Sequence, residues 1–268
     1  MSESKKSVLV FDSGMGGLTI AREILALAPD LAVNYAADSG FFPYGDKSDA
    51  ALRARLPCVA KVLVDAAKPD VFVIACNTAS TLALESVREA LDIPVVGTVP
   101  AIKPAAAISQ TKTIGLLATP GTVRRPYTAR LIDEFAKDVR VIMHGSVELV
   151  KLAEEHASGG AVSLDAFRNA QRPLFESDGG DVIDTIVLAC THFPLIRGEL
   201  AATVPQAVSY IDSGEAIARQ TLRVLPETST GRPTQSGQVF LTSDALDQSR
   251  LLEVCRRFGF LEHTVCSV

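Results

Sequence analysis

The alternation of short apolar segments with longer amphipathic ones limits the folds open to this chain of 268 residues. Apolar runs at Val8–Phe11, Val71–Ala75 and Thr113–Ala118 predict buried strands, and each is followed by residues with helical spacing of their apolar side chains. Strands that are apolar throughout predict a mostly parallel sheet covered by helices on both faces. The sequence therefore predicts an α/β protein, in which ligands bind at the carboxyl ends of the strands.

The same spacing of apolar residues predicts the remaining helices and strands. Ser48 is a predicted N-cap for a helix with an apolar stripe over 52–66, and Pro57 is expected to bend or split that helix. A single helix is predicted to follow the turn at 119–122 and to run to residue 135. The other predictions are strands at 33–37, 95–96, 139–143, 184–189, 208–211 and 238–242, helices at 18–28, 81–90, 146–156, 163–175, 214–225 and 245–258, and a loop at 226–237.

Two strand ends resemble each other, VFVIACNTAS at 71–80 and IVLACTHFPL at 186–195. Each is an apolar strand followed by Ala-Cys and then by a threonine within two residues. Earlier in each half lies another strand-to-turn element, around Asp12 and around Thr119. This echo predicts two pseudo-symmetric α/β domains, each a mostly parallel sheet flanked by helices, with the active site between them. The predicted domains comprise residues 1–97 plus 212–268 and residues 98–211.

Composition and charge argue against several classes of function. Lys and Arg total 26 against 31 Asp and Glu, and the net charge of −5 is unsuited to a protein that mainly binds nucleic acid. No stretch approaches the roughly 20 apolar residues of a membrane span, and no secretory signal pattern is present, so we expect a cytoplasmic protein. The five cysteines lack the spacing of a zinc site, and we expect no metal.

The cysteines divide into two groups. Cys76 and Cys190 lie at matching strand ends and are followed by polar residues, which favours the interpretation that their thiols take part in function. Cys58 and Cys255 lie on helical patterns and Cys266 lies in the tail, so packing or an inert thiol is expected for these three. A cysteine between a strand and a helix lies near a helix N-terminus, where the peptide dipoles favour the thiolate.

The residues beside these two cysteines suit an amino-acid substrate. Asn77 and Thr78 on one side and Thr191 on the other form an expected anion site for an α-carboxylate. Asp12 is placed to accept hydrogen bonds from an ammonium group. One acid/base on each face of a stereocentre can remove a proton from one side and return a proton to the other, which is racemisation without a cofactor.

Four motifs carry a resemblance to a known family: FDSGMGG at 11–17, ADSGFFPYGDKS at 37–48, ACNTAST at 75–81 and ACTHFPL at 189–195. They resemble the cofactor-independent aspartate/glutamate racemase family, and the PYG loop with CNTAS and CTHFPL is typical of its glutamate-specific members. The resemblance implies interconversion of L- and D-glutamate, with the D isomer used for peptidoglycan. It also implies a homodimer, and for some bacterial members activation by a cell-wall precursor.

The resemblance also implies roles for individual residues. Cys76 and Cys190 would be the two acid/bases, with Asp12 assisting the first, and His192 and Glu154 assisting the second. His192 shares a face with Cys190 if that segment stays extended. Glu155 and Glu148 are fallbacks for Glu154, and Asp38 matches a family acid whose role could be structural. The implied substrate-binding residues are Asp12, Ser13, Pro43, Tyr44, Gly45, Asn77, Thr78, Thr119, Thr191 and His192.

Three alternatives remain beside this reading. A racemase for aspartate or a related amino acid would use the same thiol pair. A non-catalytic amino-acid-binding or nucleotide-sensing protein would keep the fold without proton exchange. A thiol redox protein is disfavoured because Cys76 and Cys190 do not form a CxxC motif. The glycines at 14, 16 and 17 fit a tight turn near a small ligand better than a phosphate loop, because Thr19 stands where GxGxxG has its last glycine.

Overall fold

The structure is a computed structural model that describes residues 5–227, 237–243 and 248–268. It contains two compact units, Met1–Thr98 with Gly214–Val268 and Val99–Ser213. Each unit has a parallel sheet flanked by helices, which confirms the predicted α/β fold class. No helix in the described ranges is long and apolar enough to cross a membrane.

The first unit is built on a six-stranded sheet in the order β10-β9-β2-β1-β3-β4, and every paired strand is parallel. Its strands are β1 (Ser7–Asp12), β2 (Ala32–Ala37), β3 (Val71–Ile74), β4 (Val95–Gly97), β9 (Gln238–Leu241) and β10 (Glu262–Val265). Its helices are α1 (Leu18–Leu27), α2 (Asp49–Ala67), α3 (Asn77–Ala90), α10 (Gly214–Val224) and α11 (Gln248–Arg257).

Helix α2 contains a proline, Pro57, but burial of its apolar face keeps it continuous. The Ser48 side chain accepts a hydrogen bond from the Ala51 N–H at 3.2 Å, which confirms the predicted N-cap. The helix continues through Pro57, so the predicted split is wrong. Its apolar stripe at 52, 56, 59 and 63 is completely buried against the sheet, and this burial outweighs the hydrogen bond that proline cannot make.

The carboxyl-terminal part of the chain differs from the prediction at its last strand. β10 was not predicted, because its four residues are exposed and mostly polar and therefore lack the apolar pattern of a strand. The predicted helix at 245–258 corresponds to α11, although residues 244–247 lie outside the described residues. Most of the predicted loop at 226–237 also lies outside them, since residues 228–236 are not described.

The second unit is built on a four-stranded parallel sheet in the order β6-β5-β7-β8. Its strands are β5 (Thr113–Ala118), β6 (Arg140–Gly145), β7 (Thr185–Ala189) and β8 (Ser209–Ile211). Its helices are α4 (Ile102–Ile108), α5 (Pro120–Arg124), α6 (Pro126–Phe135), α7 (Glu148–Ala157), α8 (Leu164–Glu176) and α9 (Arg197–Ala202).

The single helix predicted through residue 135 is wrong, because the chain breaks into α5 and α6 at Arg125. This residue has extended backbone angles, φ −78° and ψ 140°. A residue before proline is sterically pushed out of the helical region, and Pro126 begins the next helix. Helix α4 was not predicted, since its seven residues around Pro104 are too short for a clear period.

The two sheets share one strand order. Within the first sheet β2-β1-β3-β4 are consecutive neighbours, and within the second β6-β5-β7-β8 are consecutive neighbours in the same sequence of chain connections. The strands β1 and β5 are therefore equivalent, as are β3 and β7. Residues that follow β1 and β3 lie side by side at one edge of the first sheet, and residues that follow β5 and β7 do so in the second.

Candidate active site

In the first unit, Cys76 lies between β3 and α3 and is the N-cap residue of that helix. Strands β1 and β3 are parallel neighbours, and the Ala75 N–H donates to the Phe11 carbonyl at 2.8 Å. This pairing brings the end of β1 beside the cysteine, so that Ser13 Oγ lies 4.0 Å from Cys76 Sγ. The residue is 5% exposed, and the helix dipole at this position favours the anionic form of its thiol.

The carboxylate at the end of β1 is completely buried and held by the turn that follows it. Asp12 Oδ1 accepts hydrogen bonds from the Gly14 N–H at 2.9 Å and from Ser13 Oγ at 3.4 Å. Gly17 is pressed against this residue, because a Cβ atom added there would lie 2.7 Å from Asp12 Cβ. The glycines of this turn therefore allow close packing around a buried acid, rather than the cradle of a phosphate.

The first residues of α3 place polar groups next to Cys76. Asn77 and Thr78 are both buried in the first turn of the helix. Among the described residues, Asn77 Oδ1 is a buried side-chain oxygen with no hydrogen-bond partner. A buried acceptor without a partner costs roughly 1–3 kcal/mol, which makes this oxygen a candidate acceptor for an N–H donor on a ligand.

The Pro-Tyr-Gly loop is held through its tyrosine. The Phe42–Pro43 peptide bond is cis, and Tyr44 is buried, with its hydroxyl donating to Asp38 Oδ2 at 2.6 Å. Burial, and next the charge of Asp38, hold the pKa of Tyr44 well above its usual value. Since the phenol is engaged with Asp38, the groups that this loop can present to a ligand are the partly exposed Pro43 and Gly45.

In the second unit, Cys190 directly follows β7 and lies in a turn closed by the Phe193 N–H, which donates to the Cys190 carbonyl at 3.1 Å. His192 has helical backbone angles, so the extended segment on which the predicted shared face depended does not form. The turn nevertheless brings the two side chains together, with His192 Nδ1 3.9 Å from Cys190 Sγ. Thr191 beside them is buried, as is Thr119 at the end of the neighbouring strand β5.

A carboxylate lies on the other side of the histidine ring. Glu154 Oε1, from α7, is 2.8 Å from His192 Nε2. Burial lowers the pKa of His192, but its hydrogen bonds to Cys190 and Glu154 together outweigh burial and raise that pKa well above 6.5. A continuous line of polar contacts thus runs from the Cys190 thiol through the imidazole to a carboxylate.

The other two acids considered on α7 differ in position. Glu148 is exposed in the first turn of the helix. Glu155 is partly exposed, and its carboxylate lies against Gly160, where an added Cβ atom would clash with it. Glu154 is the one of the three for which the structure gives a contact with His192, and its assisting role stays a prediction.

Two residues near the candidate site were not found by sequence reasoning. Arg55 donates two hydrogen bonds to Asp38, and the Thr242 hydroxyl donates a third. Thr242 is 204 residues from Asp38, and no local pattern marks it. No group of three or more potential metal-ligating side chains occurs within 5–227, 237–243 and 248–268.

These features define a class of protein, an α/β fold with two parallel sheets in which a buried cysteine follows one strand of each sheet. Cys76 lies beside the Ser13 hydroxyl, and Cys190 lies beside the His192 ring. Residues 18–221 match the Asp/Glu/Hydantoin racemase family. The chain belongs to this family, which confirms the resemblance drawn from the sequence motifs.

Individual relatives agree with the family assignment. A glutamate racemase from Escherichia coli O157:H7 is 44% identical over 260 residues, covering 97% of this chain and 90% of the relative. The crystal structure of Escherichia coli glutamate racemase with L-glutamate and the activator UDP-MurNAc-ala has a TM-score of 0.91 at 42% identity, covering 98% of this chain and 99% of that one. A glutamate racemase isoform from Bacillus anthracis has a TM-score of 0.79 at 26% identity, with 99% and 98% covered.

Proposed function

We propose that this chain is a cofactor-independent isomerase that interconverts L- and D-glutamate, with Cys76 and Cys190 as the two acid/bases. The observation that carries the proposal is the matched placement of these cysteines. Each follows the equivalent strand of its sheet, and each is buried beside a different polar side chain, Ser13 for Cys76 and His192 for Cys190. The family assignment and the 44% identical glutamate racemase support the choice of reaction and substrate.

In the proposed reaction one cysteine acts as a thiolate and the other as a thiol. The thiolate takes the α-proton, so that a C–H bond breaks, an S–H bond forms, and the electron pair passes into the α-carboxylate. The second thiol then delivers its proton to the opposite face of the α-carbon. The two sulfur atoms have exchanged protonation states at the end of a turnover, and the reverse reaction uses them in the opposite order.

The α-proton of an amino acid is weakly acidic, so the site must stabilise the charge that develops on the carboxylate. Hydrogen-bond donors fixed in advance provide this stabilisation without reorganising during the reaction. The substrate-binding residues that we propose are Asp12, Ser13, Pro43, Tyr44, Gly45, Asn77, Thr78, Thr119, Thr191 and His192. Within this set Asp12 receives the ammonium group, and Tyr44 acts by holding the backbone of its loop.

His192 and Glu154 are proposed to assist Cys190. The raised pKa of His192 keeps its ring protonated above pH 6.5, and a nearby imidazolium stabilises a thiolate. Asp12 is proposed to assist Cys76 in a different way, as a nearby carboxylate that can accept a proton. Ser13 Oγ lies 3.4 Å from Asp12 Oδ1 and 4.0 Å from the Cys76 sulfur.

The setting of this reaction is also part of the proposal. We propose that 1–97 with 212–268 and 98–211 are the two domains of each protomer, in a cytoplasmic homodimer that supplies D-glutamate for peptidoglycan. The Escherichia coli protein was crystallised with UDP-MurNAc-ala as activator. A cell-wall precursor of this kind is therefore proposed as an activator here, and assays with and without it test this directly.

The decisive experiment follows the α-proton in D₂O. Incubated with either enantiomer of glutamate and no added pyridoxal phosphate, the protein should convert one enantiomer into the other and incorporate deuterium at Cα. Mass spectrometry and chiral chromatography measure both. Binding without exchange would indicate a non-catalytic protein of the same fold. Faster conversion of D-aspartate than of D-glutamate would instead indicate an aspartate racemase.

A further inference from the structure

The loop that carries the Pro-Tyr-Gly motif is tied to the rest of the first unit through one buried carboxylate. Asp38 is completely buried, and both of its oxygens are used. Oδ2 accepts from the Tyr44 hydroxyl at 2.6 Å and from Arg55 Nε at 2.7 Å. Oδ1 accepts from Arg55 Nη2 at 2.7 Å and from the Thr242 hydroxyl at 2.6 Å.

Each donor comes from a different part of the chain. Tyr44 belongs to the loop itself, Arg55 lies in α2, and Thr242 directly follows β9. Thr242 Oγ1 also accepts from the Gly40 N–H at 3.1 Å, so it contacts the start of the loop as well as the acid. The loop is thereby joined to a helix and to a strand that is distant in sequence.

Arg55 makes a second contact with the loop through its guanidinium plane. Its Cζ atom lies 4.9 Å from the centroid of the Phe41 ring, and Lys47 Nζ lies 5.0 Å from the same ring. Arginine can combine a bidentate bond to a carboxylate with stacking on an aromatic face, whereas lysine cannot reproduce the planar fork. One side chain therefore fixes the acid that holds Tyr44 and the aromatic residue three positions before it.

We propose that Arg55, with Thr242 as a secondary support, is a positioning residue that fixes the 39–47 loop for glutamate binding. This inference rests on the proposed function, because it takes the loop to be part of the substrate site. Arg55 acts through Asp38 and Tyr44 and through Phe41. The proposal assigns it no contact with substrate and no proton transfer.

The test compares Arg55→Gln, Arg55→Lys and Arg53→Gln. Arg53 is an exposed arginine of the same helix, whose Nη1 donates to the Leu82 carbonyl, and it serves as the matched control. Arg55→Gln should raise KM for both enantiomers about tenfold and change kcat by less than about twofold, since only substrate binding is affected. Arg55→Lys should give a smaller increase in KM, and Arg53→Gln should match wild type.

A second readout does not depend on enzyme activity. Hydrogen–deuterium exchange of peptides covering 39–47 should be faster in Arg55→Gln than in wild type and unchanged in Arg53→Gln, because the loop loses its anchor. Thr242→Val removes one hydroxyl at nearly constant volume, and it should show a smaller change in the same direction. This variant carries the test if Arg55→Gln does not fold, and wild-type exchange and KM in Thr242→Val would then overturn the proposal.

The outcomes separate the two proposals. If wild type does not racemise glutamate, the proposed function fails, while exchange of the 39–47 peptides still reports whether Arg55 holds the loop. If wild type racemises glutamate and Arg55→Gln keeps both the wild-type KM and the wild-type exchange, the positioning role is wrong. Faster exchange with an unchanged KM, or a fall in kcat alone, would likewise overturn it.

Discussion

The strand ends of the two units share one topology and differ in chemistry. Cys76 follows β3 as the N-cap of a helix of 14 residues, with the Ser13 hydroxyl and the buried Asp12 as its neighbours. Cys190 follows the equivalent strand β7 in a tight turn, with an imidazole and then a carboxylate beside it. The comparison indicates that a repeated sheet fixes where the thiol lies, while the next few residues determine which polar groups lie beside it.

This difference implies that the two thiols are not interchangeable. A helix N-terminus favours the thiolate of Cys76 through backbone dipoles, which do not titrate. The partner of Cys190 is a histidine, which does titrate. We therefore expect the surroundings of Cys76 and of Cys190 to respond differently to pH and to mutation.

The largest expected effect is the loss of either thiol. Cys76→Ser and Cys190→Ser should each reduce kcat by about 10³-fold, because a serine hydroxyl is a far weaker acid and base at neutral pH. Deuterium incorporation at Cα, measured from each enantiomer separately, should fall by different amounts in the two directions. Cys58→Ser, at an exposed cysteine of α2, is the control and should behave as wild type. Full activity in either of the first two variants would exclude the two-thiol mechanism.

The next effect distinguishes the histidine of the second unit. His192→Gln should lower kcat by about 30-fold, since the group proposed to assist Cys190 is lost while both thiols remain. His156→Gln is the matched control, because His156, on α7, also pairs with a glutamate, Glu199, at 3.2 Å. Steady-state kinetics in both directions measure the effect. Equal losses in the two variants would show that His192 has only a general structural role.

The turn of the first unit is expected to tolerate an added methyl group poorly. Gly17→Ala places a Cβ atom 2.7 Å from Asp12 Cβ and 3.1 Å from Ala75 Cβ, and neither atom is the tip of a flexible side chain. This overpacking should lower the free energy of unfolding by about 1–3 kcal/mol. In the second unit Gly121→Ala meets only the end of Arg125, at 3.3 Å, and should cost less. Urea denaturation measures the free energy of unfolding of both variants. Equal losses would contradict the expected difference between Gly17 and Gly121.

The smallest effect is a change in pH dependence. Glu154→Gln removes a charge that raises the pKa of His192, so burial, which lowers that pKa, is opposed less strongly. The limb of the pH–rate profile that reports His192 should therefore move to lower pH. Glu148→Gln, at an exposed acid of the same helix, should leave the profile unchanged. An unshifted profile in Glu154→Gln would show that this acid does not act on the ring.

The raised pKa of His192 also predicts how the stability of the protein changes with pH. Since its folded pKa lies above 6.5, its contribution to the free energy of unfolding is fully present below about pH 6.5 and is lost as the pH rises through the folded value. The same loss should be absent in His192→Gln. Thermal unfolding over a pH series measures the difference between the two proteins.

Local sequence patterns predicted the strands and helices whose formation depends on residues that are close in sequence. The strands that lead to Cys76 and Cys190 are apolar over four or five consecutive residues. The position of both cysteines at the carboxyl ends of parallel strands therefore followed from the alternation of strands and helices. β10 was missed because an exposed edge strand carries no buried face. Helix α4 was missed because seven residues around a proline give no clear periodicity.

The contacts that hold the candidate site were less accessible to sequence reasoning. The pairing of His192 with Glu154 crosses 38 residues and was anticipated only from the family resemblance. The contact of Cys190 with His192 depends on a turn, whereas the sequence argument had used strand alternation. The hydrogen bonds of Asp38 with Arg55 and Thr242 depend on how α2 and β9 pack around the acid. A short sequence pattern cannot predict packing between elements that are far apart in the chain.

The order in which the first sheet is completed has a consequence for biosynthesis. β2 forms hydrogen-bonded pairs with β1, which is close in sequence, and with β9, which begins at Gln238. As the chain leaves the ribosome, the whole segment 99–213 emerges before β9 does. Until then one side of β2 has no strand to cover it, and open strand edges promote aggregation. The nascent protein should therefore depend on chaperones most between the emergence of Ala37 and that of Leu241.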